Sequence, residues 1–231
     1  MLYWPTVPGS SDPTRPLAGS AAGNSLKPTG ICIPCPEQKT ACLHGPCSMD
    51  APKRQVALER FGPYTLRAAE LADLNRLIEL LLALQDHIEA SNPSLWRMEA
   101  ETRTNLRGQI SARLQAADSC ALVAEHKHAG VIGVIFGRII VNNRYTPSRA
   151  GQIDQAFVRA DHRRAGVGSR LVAGLCHFFA DRGIEDVSLR YVMGNEEAAS
   201  FWSALGFAPR IVTTGARRRA VEERLETLLK P

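Results

Sequence analysis

Leu71, Leu74, Ile78, Leu81, Leu82 and Ile88 recur at steps of three and four, the spacing that lines one face of an α-helix. The sequence SNP at 91–93 ends that pattern. A second helix is expected from about Leu95 to Ala117, with Leu106, Ile110 and Leu114 on its apolar face. Ahead of both, YTLRAA at 64–69 reads as a short strand. Behind them the pattern changes. SCALVAE (119–125) and GVIGVIFGRIIV (130–141) read as two strands, joined into a hairpin by the polar turn HKHAG. NNRYTPSR is a loop, and GQIDQAFV (151–158) is a fourth strand. A helix follows with Leu171, Leu175, Phe178 and Phe179 inward, stopped by DRG. DVSLRYVM alternates apolar and polar residues as a fifth strand. EEAASFWSAL is a short helix with Phe201 and Leu205 in the core, and RIVTT (210–214) is a terminal strand. This order of strands and helices is an α/β arrangement on a mixed sheet, spanning about 61–215. Val221, Leu225 and Leu228 give the extension 216–231 an amphipathic helical period and make it a candidate homodimer contact.

The first 55 residues break with all of this. They hold nine of the fourteen prolines and show neither period. Such a stretch buries too little apolar surface to offset its ordering entropy, so 1–55 reads as a flexible tail. Met49 offers an alternative start that would leave the upstream residues outside the protein. The tail carries Cys32, Cys35, Cys42 and Cys47, with His44 among them. The CIPC pair has metal or redox spacing, but the whole set departs from common zinc-ribbon spacing, and no metal is expected. No apolar run reaches the ~18 residues of a membrane span, and no secretory signal is visible. The cytoplasm is the default compartment, with the cysteines reduced. A net charge of +5 on 231 residues suits an anionic ligand but is too mild to argue for nucleic acid.

Residues 162–171, HRRAGVGSRL, place arginines and glycines where a strand hands over to a helix. A helix starting near Gly168 leaves its first N–H groups without internal partners, and its dipole adds partial positive charge. Gly166 and Gly168 let an anion approach the amides, while Arg163 and Arg164 attract it. The spacing is neither a Walker loop nor G-x-G-x-x-G. By itself it is a diphosphate cradle or a tight turn with solvated arginines.

The stretch IDQAFVRADHRRAGVGSRLV resembles the acetyl-CoA-binding motif of the GCN5-related N-acetyltransferases, the GNAT superfamily. NEEAASFWSALGF (195–207) is similar to that family's second motif, N-x-x-A-x-x-[FL]-[YW]-x-x-x-G-F. The resemblance implies a mixed, mostly antiparallel central sheet flanked by helices and splayed between strands 4 and 5. The pantetheine arm of acetyl-CoA would lie in that gap. Phe157 and Val158 would offer it main-chain groups, together with Arg159, and a main-chain N–H near Val158 would receive the oxyanion. Arg163, Arg164, Ala165, Gly166, Val167, Gly168 and Ser169 would hold the diphosphate. Asn195 matches the motif asparagine near the pantetheine, or is a helix N-cap.

Acetyl transfer to an amine needs a base and an acid. Gln152 stands where some family members have glutamate, and Asp154 shares its strand face, so Asp154 is the expected base. Trp202 stands where many have an acidic tyrosine; an indole only donates a hydrogen bond, so water or Tyr191 is the expected acid. Asp86, His87, Glu89, Trp96, Glu99 and Glu101 border the implied acceptor site. The expected partner is an amine-bearing small molecule or peptide, with no nucleic acid and no membrane. The alternative function is a catalytically degenerate CoA-binding sensor.

Overall fold

The computed structural model describes residues 59–92 and 97–230. The tail, its four cysteines and Trp96 lie outside the described residues. Six strands form one sheet in sequence order: β1 (Glu59–Phe61), β2 (Tyr64–Ala68), β3 (Ser119–His126), β4 (Gly130–Val141), β5 (Arg149–Val158) and β6 (Val187–Leu189). Neighbours are antiparallel from β1 to β5, and β5 runs parallel to β6. The helices are α1 (Leu74–Ser91), α2 (Ala100–Gln115), α3 (Val167–Ala180), α4 (Glu196–Ala204) and α5 (Arg218–Leu228). The mixed, mostly antiparallel sheet read from the sequence is therefore the observed architecture. Its predicted fourth and fifth strands are β5 and β6.

The core explains where α3 sits. Leu171, Leu175, Phe178 and Phe179 are buried on α3, packed with Leu122, Ile135, Ile139 and Ile153 of the sheet. The approach is close because the sheet carries glycines under the helix. A Cβ at Gly137 would lie 2.6 Å from Leu175 Cδ2, and one at Gly151 would lie 2.9 Å from the Phe179 ring. The seated helix opens its N-terminus just beyond the end of β5.

Three details differ from the sequence reading. The fifth strand is three residues long, because Arg190–Met193 leave the sheet. RIVTT forms no strand: Ile211 and Val212 are 89% and 78% exposed, since β-branched propensity without a partner's hydrogen bonds does not make a strand. Leu71 and Leu205 are exposed rather than core, because each sits at the edge of its helix, outside the buried stripe.

Every residue of α5 is exposed. Ending the chain at Ala216 is accordingly expected to shift the melting temperature by no more than about 2 °C, since surface changes remove little packing. A thermal melt of the two chains compares them directly.

Candidate active site

The β5–β6 pairing covers only Gly151–Ile153 against Val187–Leu189. β5 then continues alone to Val158 while the other chain turns away, and a cleft of about 580 Å³ opens between them. β5 forms one wall. Arg190, Tyr191 and Val192 form the other, α1 contributes Leu84, His87 and Ile88, and α4 closes the side with Ala198, Phe201 and Trp202.

The main chain of β5 has a definite polarity here. Arg159 N–H donates to Ile132 O at 2.9 Å, and Phe157 faces Val134 in register. Antiparallel alternation therefore turns the main-chain groups of Phe157 toward β4 and those of Ala156 and Val158 toward the open side. Phe157 and Val158, implied by the resemblance, both line the cleft; the alternation pairs the Phe157 main chain with β4 and adds Ala156 to the open edge. This orientation has a local cause. Phe136 pairs with Gln155 and Gly137 with Ile153, so Asp154 is the extra residue of a β-bulge that resets the alternation.

Beyond Val158 a single 3₁₀ turn, Ala160–His162, leads into the arginine–glycine loop. Arg164 has φ 59° and Gly166 φ 77°, two left-handed residues separated by one. Such alternation is how successive main-chain N–H groups come to face one concavity. The first turn of α3 begins at Val167, so its N–H groups add to the same cradle. Arg163, Arg164, Gly166, Gly168 and Ser169 line the cleft. The side chain of Val167 points into the core, 1% exposed, and Ala165 is an exposed residue of the loop; what is expected of both is the main-chain N–H. A Cβ at Gly168 would stand 3.2 Å from the Phe201 ring, so glycine keeps that surface open. Arg163 ties the mouth together. Its Nε donates to Val158 O at 2.9 Å, its guanidinium sits 5.7 Å from the Phe157 ring centroid, and it pairs with Glu197 on α4. These residues fit a diphosphate: bare amides, left-handed turns and a cation whose carboxylate partner among the described residues, Glu197, is itself largely exposed.

Asn195 lines the cleft, and its side-chain oxygen accepts from Ala198 N–H at 3.0 Å as the N-cap of α4. Tyr191 lines the cleft, half-buried against the core. Trp202 is buried, edge-on to Phe201 and Phe207 at 4.9 and 5.5 Å. Asp154 also lines the cleft, but both its oxygens are engaged. Oδ2 lies 2.5 Å from Arg113 Nη2 and 3.4 Å from Arg138 Nε, and Oδ1 accepts from Gln152 Nε2 at 2.9 Å. With both oxygens held in this way, Asp154 is tied to its neighbours rather than presented free to the cleft. Burial lowers the Arg113 guanidinium below its ordinary value against the opposing pull of Asp154.

Two of the acidic residues expected at the acceptor side, Asp86 and Glu89, have partners of their own. Asp86 lies 3.3 Å from Arg103 across α1 and α2. Glu89 accepts from Gln85 Nε2 and from Met98 N–H, and these bonds hold its carboxyl below the usual range. Glu99 and Glu101 are exposed. Of that group His87 lines the cleft.

Residues 81–207, more than half of the chain, match the family model of the acetyltransferase (GNAT) family. The chain belongs to that family. Solved GNAT structures share its fold. A GCN5-related N-acetyltransferase from Ralstonia eutropha JMP134 is 17% identical with a TM-score of 0.54, the match covering 67% of this chain and 98% of that one. An aminoglycoside antibiotic 6'-N-acetyltransferase from Acinetobacter baumannii is 16% identical, TM-score 0.53, with coverage of 67% and 98%. A ribosomal-protein-alanine N-acetyltransferase from Brucella melitensis is 18% identical, TM-score 0.50, with coverage of 68% and 99%. No curated protein matches this GNAT chain. Among the described residues no helix is long and apolar enough to cross a membrane, and no group of three or more His, Cys, Asp or Glu is placed to hold a metal ion.

A histidine cluster lies just upstream of the GNAT loop. The His126 and His162 rings are 4.9 Å apart, and Tyr64 Oη meets His162 Nδ1 at 3.2 Å. Desolvation lowers the His126 pKa, helped by the positive charge that His162, His128 and Lys127 would present, against Asp161. Its Nδ1 accepts main-chain N–H groups of His128 and Ala129, which suits the neutral ring. The unfolded chain thus takes up a proton at higher pH than the folded one. Stability should be full above the ordinary histidine value of about 6.5 and fall as pH drops below it. Melting curves of the wild type should show that fall, and His126→Gln should flatten it.

Proposed function

We propose that this GNAT protein transfers the acetyl group of acetyl-CoA to a primary amine of a small molecule or peptide, by direct attack within a ternary complex. The observation that carries the reading is the cleft itself: an unpaired strand edge at Ala156 and Val158 that runs into a glycine loop at the N-terminus of a fourteen-residue helix. An extended pantetheine pairs with such an edge as another strand would. The loop from Arg163 to Ser169 then receives the diphosphate. The names of two structural neighbours, an aminoglycoside and a ribosomal-protein-alanine acetyltransferase, agree with an amine acceptor.

The roles follow from chemistry and placement. His87, on the α1 wall, removes a proton from the ammonium, directly or through water. The freed amine attacks the thioester carbon. The oxyanion accepts from Val158 N–H, and the C–S bond then breaks. Tyr191 gives its proton to the leaving thiolate and regains one, through water, from the nitrogen, which sheds its second proton as the amide forms. Asp154, occupied by Arg113 and Gln152, is assigned the support of β5 rather than the base.

The test is thiol release from acetyl-CoA across a panel of polyamines, aminoglycosides, amino acids and peptide N-termini, run beside calorimetry with CoA. Binding with turnover on at least one amine supports the proposal. Binding without turnover supports a CoA-sensing domain, which the tryptophan at 202 and the engaged Asp154 would suit. No binding removes both readings.

A further inference from the structure

Arg113 is a buried cation outside the roles assigned above. It stands in the last turn of α2, and its side chain is 14% exposed. Its guanidinium reaches across to β5 and grips two consecutive residues. Nη2 pairs with Asp154 at 2.5 Å, and Nη1 donates to Gln155 Oε1 at 2.7 Å. The same group lies 4.7 Å from the centroid of the Phe136 ring on β4. Gln155 is 3% exposed, so this hold is made in the interior.

The residues gripped are those of the bulge. Asp154 is the extra residue, and Gln155 is where the β4 register resumes. The bulge also stands where β6 leaves, one residue beyond the Ile153–Leu189 pair. A bulged strand with one neighbour gone has lost ladder bonds on both sides and bends easily. Two residues further on it must present Ala156 and Val158 in one orientation. An apolar cluster of the same volume would stabilise this place as well as an ion pair does. What the forked guanidinium adds is a fixed geometry, two parallel donors on two acceptors. It also offsets a charge. Asp154 lines the cleft, and an uncompensated carboxylate there would oppose the negative charge that grows on the thioester oxygen.

We infer that Arg113 is a positioning residue for acetyl transfer: it clamps the β5 bulge so that Val158 N–H meets the oxyanion, and it offsets, together with Arg138, the Asp154 charge on the cleft wall. The inference rests on the proposed acetyltransferase activity.

The experiment compares Arg113→Met, Arg113→Lys and the double variant Arg113→Met/Asp154→Asn with the wild type, using acetyl-CoA and the best amine of the panel. Arg113→Met should lower kcat by about 50-fold, the scale of a misplacement near 1 Å, with KM for acetyl-CoA within about threefold because the diphosphate loop is untouched. Lysine keeps the charge but not the fork, so Arg113→Lys should lose about tenfold. The double variant should recover about tenfold of the kcat lost in the single one, since the uncompensated carboxylate is gone. A merely structural arginine would move the melting temperature without separating kcat from KM and without recovery in the double variant.

Wild-type kcat in Arg113→Met, or no recovery in the double variant, overturns the inference while leaving the acetyltransferase reading intact. If Arg113→Met does not fold, Arg113→Lys decides: wild-type kcat overturns the clamp, and a loss of kcat at unchanged KM upholds it. A wild type that turns over no amine overturns the proposed function and this inference together.

Discussion

Gly168→Asp should weaken acetyl-CoA binding by about 100-fold, while leaving the melting temperature unchanged or slightly raised. The two effects have opposite signs for one physical reason. Gly168 is the second residue of α3, where main-chain N–H groups lack internal partners and the helix dipole presents partial positive charge. An aspartate there satisfies that end of the helix and stabilises it. It also occupies the place of the diphosphate. At about 5 Å and an effective dielectric near 20, two like charges repel by about 3 kcal/mol, which is the 100-fold loss. Steric crowding adds to it, since the new Cβ would lie 3.2 and 3.3 Å from two carbons of Phe201. Gly168→Ala separates the two contributions: it brings the crowding without the charge and should cost no more than about fivefold, as the half-buried ring yields by a few tenths of an ångström. Calorimetry with CoA measures both variants, and a thermal melt checks the fold. An unaltered dissociation constant for Gly168→Asp would place the diphosphate elsewhere.

The parts of the fold legible in the sequence are those held by a strong local period or by turn chemistry. The apolar run of β4 has the limits 130–141 read from the sequence, and α3 turns the inward residues into the core as its period requires. The arginine–glycine loop was legible because left-handed turns and an anion-binding helix end demand particular residues locally. What was not legible depends on partners distant in the chain. RIVTT has strand composition, yet no neighbouring strand accepts it. Asp154 looked like a free strand carboxylate because its guanidinium partner lies 41 residues upstream on another element. The bulge that shifts the open edge from Phe157 to Ala156 and Val158 follows from pairing with β4 and leaves no mark in an alternating sequence.

The last two misses concern one place, the segment 152–158, where three demands meet. The strand must pair with β4, part from β6 and carry charge compensated from α2. Local propensity speaks to the first demand alone, so the site differs from its sequence reading where tertiary contacts override the alternation. The same segment is where the reaction would need its main-chain donor, which makes the chemistry of the leaving group the sharpest test of how the remaining residues divide the work.

Tyr191→Phe should lower kcat at pH 7 by about 100-fold, near the low end of what general acids contribute, with little change in KM for acetyl-CoA. The low end is expected because a thiol ionises near pH 8.5, so the thiolate is already a tolerable leaving group at neutral pH. The same reasoning sets the pH dependence. Above about pH 9 the thiolate leaves unassisted, and the deficit of the variant should shrink toward zero. Tyr191 is the better placed of the two aromatic candidates. It lines the cleft from the strand side with a phenol that donates a proton, whereas Trp202 is 7% exposed, wedged against Phe201 and Phe207, and carries an indole N–H that does not transfer its proton. Phenylalanine keeps the ring that packs against the core, so a loss of kcat without a loss of melting temperature isolates the hydroxyl. Wild-type turnover in Tyr191→Phe at pH 7 would assign the proton to water, and a deficit that persists undiminished at pH 9 would mean that the hydroxyl positions the thioester rather than protonating its sulfur.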